Sequence, residues 1–197
     1  FLVVDGVLYA GVGLPTSAPP AKLGRVLRWT GSLPGTPIAF EEVAQLDSMA
    51  AELALHDGRI FVTTWPEGGG STGAREAGLY MSPAIPAGGF TSAGIADWQK
   101  VWTVSDYEPD PVTAATYGGG ALASFDGYLY WGTMHVPTLS TLAHSQVYST
   151  DWGALDENGR LQWFLRSERA ISIFRGRNFA SASPQTEVVY GYPQMPV

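Results

Sequence analysis

Residues 122–134 read LASFDGYLYWGTM, in which an Asp-Gly pair stands between two apolar, aromatic runs. Asp-Gly in this setting is the strongest short signal for a β-hairpin, because a tight two-residue turn needs positive φ angles that glycine accepts without steric cost. The same pattern occurs twice more, as FLVVDGVLYAGVG at residues 1–13 and LALHDGRIFVTTW at residues 53–65. The sequence therefore predicts three hairpins, with turns that begin at Asp5, Asp57 and Asp126.

Each hairpin is followed by two further segments with the composition of short strands. They are GRVLRWTG from Gly24 and FEEVAQL from Phe40, AGLYMSP from Ala77 and WQKVWTV from Trp98, and SQVYST from Ser145 and LQWFLRS from Leu161. A fourth unit is expected to start with AISIFRGRN at Ala170 and TEVVYGY at Thr186. The repeat thus predicts one domain, 1–197, with units at about 1–46, 49–104, 118–169 and an incomplete 170–197.

Four short antiparallel strands per repeat are typical of one blade of a β-propeller. A single small sheet cannot bury both of its faces, whereas sheets stacked around an axis can, and this explains why the second strands are continuously apolar. We therefore predict an all-β fold, a β-propeller with about three complete blades plus part of a fourth. Since propellers usually close with four to eight blades, the remaining blades are expected from the rest of a longer chain or from another subunit.

The hairpins, which follow the pattern DG-x-LY-x-GT, resemble those of bacterial propeller proteins of the broad kelch and WD40-like group. The resemblance covers nearly the whole chain, although the Gly-Gly signature of kelch repeats and the Gly-His…Trp-Asp pattern of WD40 repeats are missing. The segment STDWG at residues 149–153 is similar to part of a sialidase-type Asp-box. The resemblance implies a rim of loops that binds ligands, and an extracellular or periplasmic location.

Composition excludes several kinds of partner. The formal net charge is −7 with scattered acidic residues, which argues against nucleic acid and against anionic membrane surfaces as partners. The sequence contains no cysteine, so disulfides, thiolate metal sites and thiol nucleophiles do not arise. Apolar runs stay well short of the roughly 18 residues that span a bilayer, so no membrane insertion is expected.

Loops between second and third strands supply the candidate ligand-binding residues. Trp beside carboxylates could stack on a sugar ring, and two histidines on one loop could hold a metal ion if the loop folds back. The alternatives are an ordinary polar surface loop, solvated histidines and aromatic residues that pack between blades. The candidate residues are Trp65, Glu67, Arg75, Trp131, His135 and His144.

An acidic stretch between the second and third units is a candidate calcium site. Asp106, Glu108 and Asp110 place oxygen ligands at alternate positions, which Ca²⁺ accepts in flexible loops. The spacing of an EF-hand is not satisfied, and the alternative is a solvated acidic loop. Apart from calcium, no cofactor is predicted.

The sequence favours a binding function over catalysis. A Gly-x-Ser-x-Gly elbow is absent and histidine is scarce, so no catalytic constellation stands out. We expect a non-catalytic module that binds a protein or glycan ligand, as part of a larger secreted or surface protein. Two alternatives stay open: a fragment of a propeller enzyme, either a metal-dependent oxidoreductase or a glycan-acting hydrolase, and a structural subunit completed by a partner chain.

Overall fold

A computed structural model of the chain describes residues 1–14, 22–31, 39–66, 76–136 and 138–191. Its framework is three four-stranded antiparallel sheets, in each of which the strands are neighbours in chain order. The prediction of a mainly β fold built of four-stranded antiparallel units is therefore confirmed.

The first sheet follows the sequence pattern closely. Its strands are β1 (Leu2–Val4), β2 (Val7–Gly13), β3 (Gly24–Gly31) and β4 (Ala39–Leu46). The turn between β1 and β2 has φ angles of 48° at Asp5 and 77° at Gly6, as a tight hairpin turn requires.

The second sheet repeats this arrangement. Its strands are β5 (Met49–His56), β6 (Arg59–Trp65), β7 (Gly78–Met81) and β8 (Gln99–Thr103). Asp57 and Gly58 form the same turn as in the first sheet, with φ angles of 47° and 66°. The loop between β7 and β8 contains a short 3-10 helix, Ser92–Asp97, and this loop lies against the first sheet.

The third sheet corrects the predicted unit boundaries. Its strands are β9 (Tyr117–Phe125), β10 (Tyr128–His135), β11 (Ile173–Arg177) and β12 (Gln185–Tyr190). The segments expected to start a fourth unit therefore complete the third sheet instead, since β11 pairs with β10 and β12 pairs with β11. The prediction of about three blades plus part of a fourth is wrong in this respect, because the described strands form three sheets of four.

Helices occupy the segments in which the third and fourth strands of this sheet were predicted. They are α2 (Leu139–Val147), α3 (Ser149–Ala154) and α4 (Glu157–Ser167), and a further short helix, α1 (Pro111–Ala114), precedes β9. The predicted strands from Ser145 and Leu161 are therefore wrong. Leu, Gln and Arg in LQWFLRS are good helix formers, and the Asp156 side chain caps α4 by accepting a hydrogen bond from Gly159 N.

The second sheet is buried on both faces. Successive residues of β6 point to opposite sides, so Ile60 and Val62 join an apolar cluster with the first sheet, while Phe61 joins a cluster with the third. Tyr9 is central to the first cluster and Trp131 to the second. This two-sided burial explains why the sequence of β6 is apolar without alternation.

The glycines at the start of β9 permit a close approach of the second and third sheets. A Cβ at Gly119 would lie 2.6 Å from the carbonyl oxygen of Thr64 and 2.8 Å from Cβ of Thr63. A Cβ at Gly118 would lie 2.8 Å from the ring of Trp65. Only glycine fits where two strands of neighbouring sheets pack this closely.

Candidate functional site

A buried ionic cluster attaches the helices to the third sheet. Arg169 Nε donates to Glu108 Oε2 at 2.7 Å, and Tyr117 Oη donates to the same oxygen at 3.2 Å. Both charged side chains of the pair are almost completely shielded from solvent. Burial raises the pKa of Tyr117, and the negative charge of Glu108 raises it further, so the phenol remains a donor.

A second polar group lies beside it and links α1 with α2. His144 Nε2 is 3.1 Å from Asp110 Oδ1, and Thr113 N donates to the same oxygen at 2.6 Å. On the other side of the ring, His144 Nδ1 is 2.7 Å from the main-chain oxygen of Ser140 and 3.3 Å from its hydroxyl. Burial alone would raise the pKa of Asp110, but the hydrogen bonds from His144 and Thr113 outweigh it and lower the pKa to about 2.

These contacts bring together residues that the sequence placed in two separate candidate sites. Glu108 and Asp110 came from the acidic stretch, and His144 came from the loop after β10. Asp106 stays apart and exposed, where its side chain caps a short 3-10 helix by accepting from Thr103 N at 3.0 Å. The carboxylates at positions 108 and 110 each face a cationic or imidazole side chain, and among the described residues no group of three or more ligands is arranged around a metal position.

The hydroxyl–imidazole–carboxylate series of Ser140, His144 and Asp110 is structural. All three side chains are buried, and the shortest contact of the ring Nδ1 is to a main-chain oxygen rather than to the hydroxyl. The Ser140 hydroxyl also lies 2.9 Å from Thr113 Oγ1. A nucleophile needs access to its substrate, which this packing does not provide.

The other predicted binding residues fall in different environments. Trp131 is buried between the second and third sheets and stacks on Phe174, with 5.6 Å between ring centroids. His135 is buried at the end of β10 with its ring 5.2 Å from that of Tyr117, and burial lowers its pKa. Within the described part of the chain, neither ring nitrogen of His135 has a hydrogen-bond partner.

The predicted sugar-binding loop can be located only in part. Trp65 ends β6 and packs over the main chain of Gly118, so it contributes to contact between sheets. Glu67 and Arg75 lie outside the described residues.

A further candidate surface is the outer face of the third sheet, the face turned away from the second sheet. Its upper part is an apolar depression of about 240 Å³ beside Gly132, with Tyr130, Ala121 and Ile173 at its border. A Cβ at Gly132 would meet only the main-chain oxygen of Ser172, at 3.8 Å. We call this surface, together with Tyr128, Arg175, Arg177 and Glu187 described below, the free face of the third sheet.

The lower part of the free face is a groove of about 430 Å³ that combines aromatic and charged groups. The guanidinium groups of Arg175 and Arg177 lie 4.5 and 5.0 Å from the ring centre of Tyr128. Arg175 Nε also donates to Glu187 Oε1 at 2.6 Å. Planar cations over an aromatic ring, next to a carboxylate, form a surface suited to hydrogen bonding with a polypeptide main chain and to packing of an aromatic side chain.

Sequence reasoning missed these residues because it assigned residues 170–178 to a new unit. The signal was present in the third strands, where GRVLRWTG and ISIFRGR both carry arginine. In the structure Arg28 pairs with Tyr9, and Arg175 pairs with Tyr130. Aligned on their Asp-Gly turns, the two hairpins place Tyr9 and Tyr130 at the same position, so the two arginines are also equivalent.

Comparisons of the chain with protein-family models, with curated proteins and with solved structures find no match. Among the helices that the structure describes, none is both long and apolar enough to cross a membrane.

Proposed function

We propose that the chain is a protein-binding module built of stacked four-stranded blades of a β-propeller, and that it binds through the outer faces of its first and third sheets. The observation that carries this proposal is the contrast between equivalent tyrosines. Tyr9 is 1% exposed because the second sheet covers it, whereas its equivalent Tyr130 is only partly buried at the border of an open apolar depression.

Both outer faces bear large apolar side chains. On the first sheet Val3 is 64% exposed and Phe40 is 41% exposed, and on the third sheet Tyr190 is 59% exposed. Within the described residues no strand pairing joins the first sheet to the third. Contiguous exposed apolar surface of this kind marks protein interaction sites in soluble proteins.

The buried polar groups support binding rather than catalysis in the described part of the chain. Glu108, Asp110 and His144 are occupied by contacts that attach the helices to the sheet. The free face of the third sheet presents aromatic, apolar and guanidinium side chains, which are enriched at the centres of protein interfaces, together with the carboxylate of Glu187.

Chemical labelling of tyrosine in the monomeric fraction of dilute protein tests this function. We expect Tyr128 and Tyr130 to be modified readily and Tyr9 to be protected, since only the last lies under another sheet. A hydrophobic fluorescent dye should bind the same fraction. Protection of Tyr130 in a monomer that binds no dye would show that the face is not available to a partner.

A further inference from the structure

Three side chains of the first sheet form a row that binds the main chain of the loop between β7 and β8, two strands of the second sheet. Tyr9, Arg28 and Glu41 are direct cross-strand neighbours on β2, β3 and β4. Their partners belong to one stretch of the β7–β8 loop, residues 88–92. Arg28 Nη2 donates to Gly88 O at 2.7 Å and Nη1 donates to Phe90 O at 3.1 Å.

The other two members of the row accept hydrogen bonds from the same stretch. Phe90 N donates to Tyr9 Oη at 3.2 Å, and Ser92 N donates to Glu41 Oε1 at 2.6 Å. The ring of Phe90 also packs against that of Tyr9, with 6.0 Å between centroids. The row is therefore a recognition site for a loop of the neighbouring sheet, and it combines main-chain hydrogen bonds with an aromatic contact.

The third sheet carries the same row, and there it lies on the free face. Tyr130, Arg175 and Glu187 are direct cross-strand neighbours on β10, β11 and β12. The Asp-Gly alignment makes these three residues the equivalents of Tyr9, Arg28 and Glu41. Gly132 likewise corresponds to Gly11, where a Cβ would lie only 2.7 Å from Leu53 Cδ1 of the adjoining sheet. The third sheet thus has the residues that accommodate a further sheet.

The free side of the first sheet carries the apolar residues that such a contact requires. The second sheet docks on the first through a cluster that includes Ile60 and Trp98. The Asp-Gly alignment places Leu8 at the position of Ile60. The pairing of Glu41 with Arg28, and of Gln99 with Met81, places Phe40 at the position of Trp98. Phe40 is exposed.

From the repeated row and these equivalent apolar positions we infer that the free face of the third sheet binds the outer face of the first sheet in a second copy of this chain. The inference rests on the proposed binding function. If the third sheet of each copy binds the first sheet of the other, all four outer faces are covered. The two copies then form a closed ring with twofold symmetry. Because each copy contributes three sheets, this ring has six blades. Six lies within the range of about four to eight blades that is usual for closed propellers.

Sedimentation velocity over a range of concentrations tests the inference with the full chain. We expect a concentration-dependent species with twice the 21.0 kDa mass of the chain. Gly132→Glu places a carboxylate in the apolar contact and should raise the dissociation constant by at least about 100-fold, since burial of an unpaired charge is strongly unfavourable. Gly153→Glu is the matched control, because Gly153 lies on α3 and has no atom within 4 Å of an added Cβ. It should leave the dimer intact.

Mixing two defective variants distinguishes a head-to-tail contact from a face-to-itself contact. Phe40→Glu should also dissociate the dimer, although it lies on the opposite sheet. An equimolar mixture of Gly132→Glu and Phe40→Glu should recover association, because one of the two interfaces of the mixed ring contains neither substitution. Dimers that survive Phe40→Glu, or a mixture that stays monomeric, would overturn the head-to-tail arrangement.

The same preparations separate failure of this inference from failure of the proposed function. A wild-type chain that stays monomeric at all concentrations, with Tyr130 reactive and dye bound, would overturn the second copy as occupant and leave the binding function standing. In that case the free face of the third sheet would bind another partner, such as further blades of a longer chain. A monomer with Tyr130 protected would overturn both.

Discussion

Replacing Gly119 by alanine tests the stacking of the second and third sheets, on which the proposed propeller arrangement depends. The added Cβ would lie 2.6 Å from Thr64 O and 2.9 Å from Thr64 N, both of them main-chain atoms of β6. Ordinary contacts of a Cβ begin near 3.4 Å, so β6 and β9 have to move apart by several tenths of an ångström. Main-chain atoms in a paired strand cannot move aside as a flexible side chain can.

We expect Gly119→Ala to lower the free energy of unfolding by about 1–3 kcal/mol, the usual cost of overpacking a tight contact. For a chain of this size, each kcal/mol changes Tm by roughly 2–4 °C. Differential scanning calorimetry should therefore show a Tm lower by roughly 2–12 °C. Because the substitution also removes a glycine from a strand, which alone is favourable, any loss of stability reports the steric contact.

Gly153→Ala is the control for this measurement. Gly153 lies in α3 with no atom within 4 Å of its added Cβ, and alanine is the better helix former. Its Tm should be unchanged or slightly higher. If Gly119→Ala melted at the wild-type temperature, the close approach of β6 and β9 would be refuted, and with it the face-to-face contact of the two sheets.

Three further substitutions and the addition of calcium have defined outcomes. Glu108→Gln should destabilise the chain by about 3–5 kcal/mol in chemical denaturation, because it removes the charge of the carboxylate that binds the buried Arg169 guanidinium, whereas replacing both residues by apolar ones should recover much of this. The pKa of Asp110 is about 2 in the folded chain against an ordinary 3.8, so its contribution to folding stability is complete above about pH 4 and is lost as the pH falls towards 2. Asp110→Asn should therefore make Tm less dependent on pH between about pH 2 and 4. Phe179→Ala, which removes a buried ring 5.0 Å from that of Phe61, should cost about 3–5 kcal/mol by denaturation, and Leu165→Ala on exposed α4 should cost far less. Millimolar calcium should leave Tm unchanged, since Glu108 and Asp110 already face Arg169 and His144; an increase that depends on Asp106 would support the calcium site instead.

The candidate site was only partly predictable because its members are distant in the chain. His144 and Asp110 were both singled out by residue type, but their contact across 34 positions depends on how α1 and α2 pack. The tyrosine–arginine–glutamate row depends on the pairing of β10 with β11, which α2, α3 and α4 separate in the chain. It could therefore be recognised only after Arg175 was known to lie beside Tyr130. Once the pairing is known, the equivalent row in the first sheet identifies it.

Local chemistry made the three hairpins readable from the sequence alone. Asp-Gly turns require positive φ at both central residues and fix the register of the strands they join, so β1–β2, β5–β6 and β9–β10 follow from residues adjacent in the chain. Only the tertiary structure decided that α2, α3 and α4 lie between β10 and β11, and that Tyr9 is covered while Tyr130 is open. The physical reason is that antiparallel pairing and sheet stacking are contacts between distant segments, whose choice depends on the surfaces available to them and not on the residues next to them in sequence.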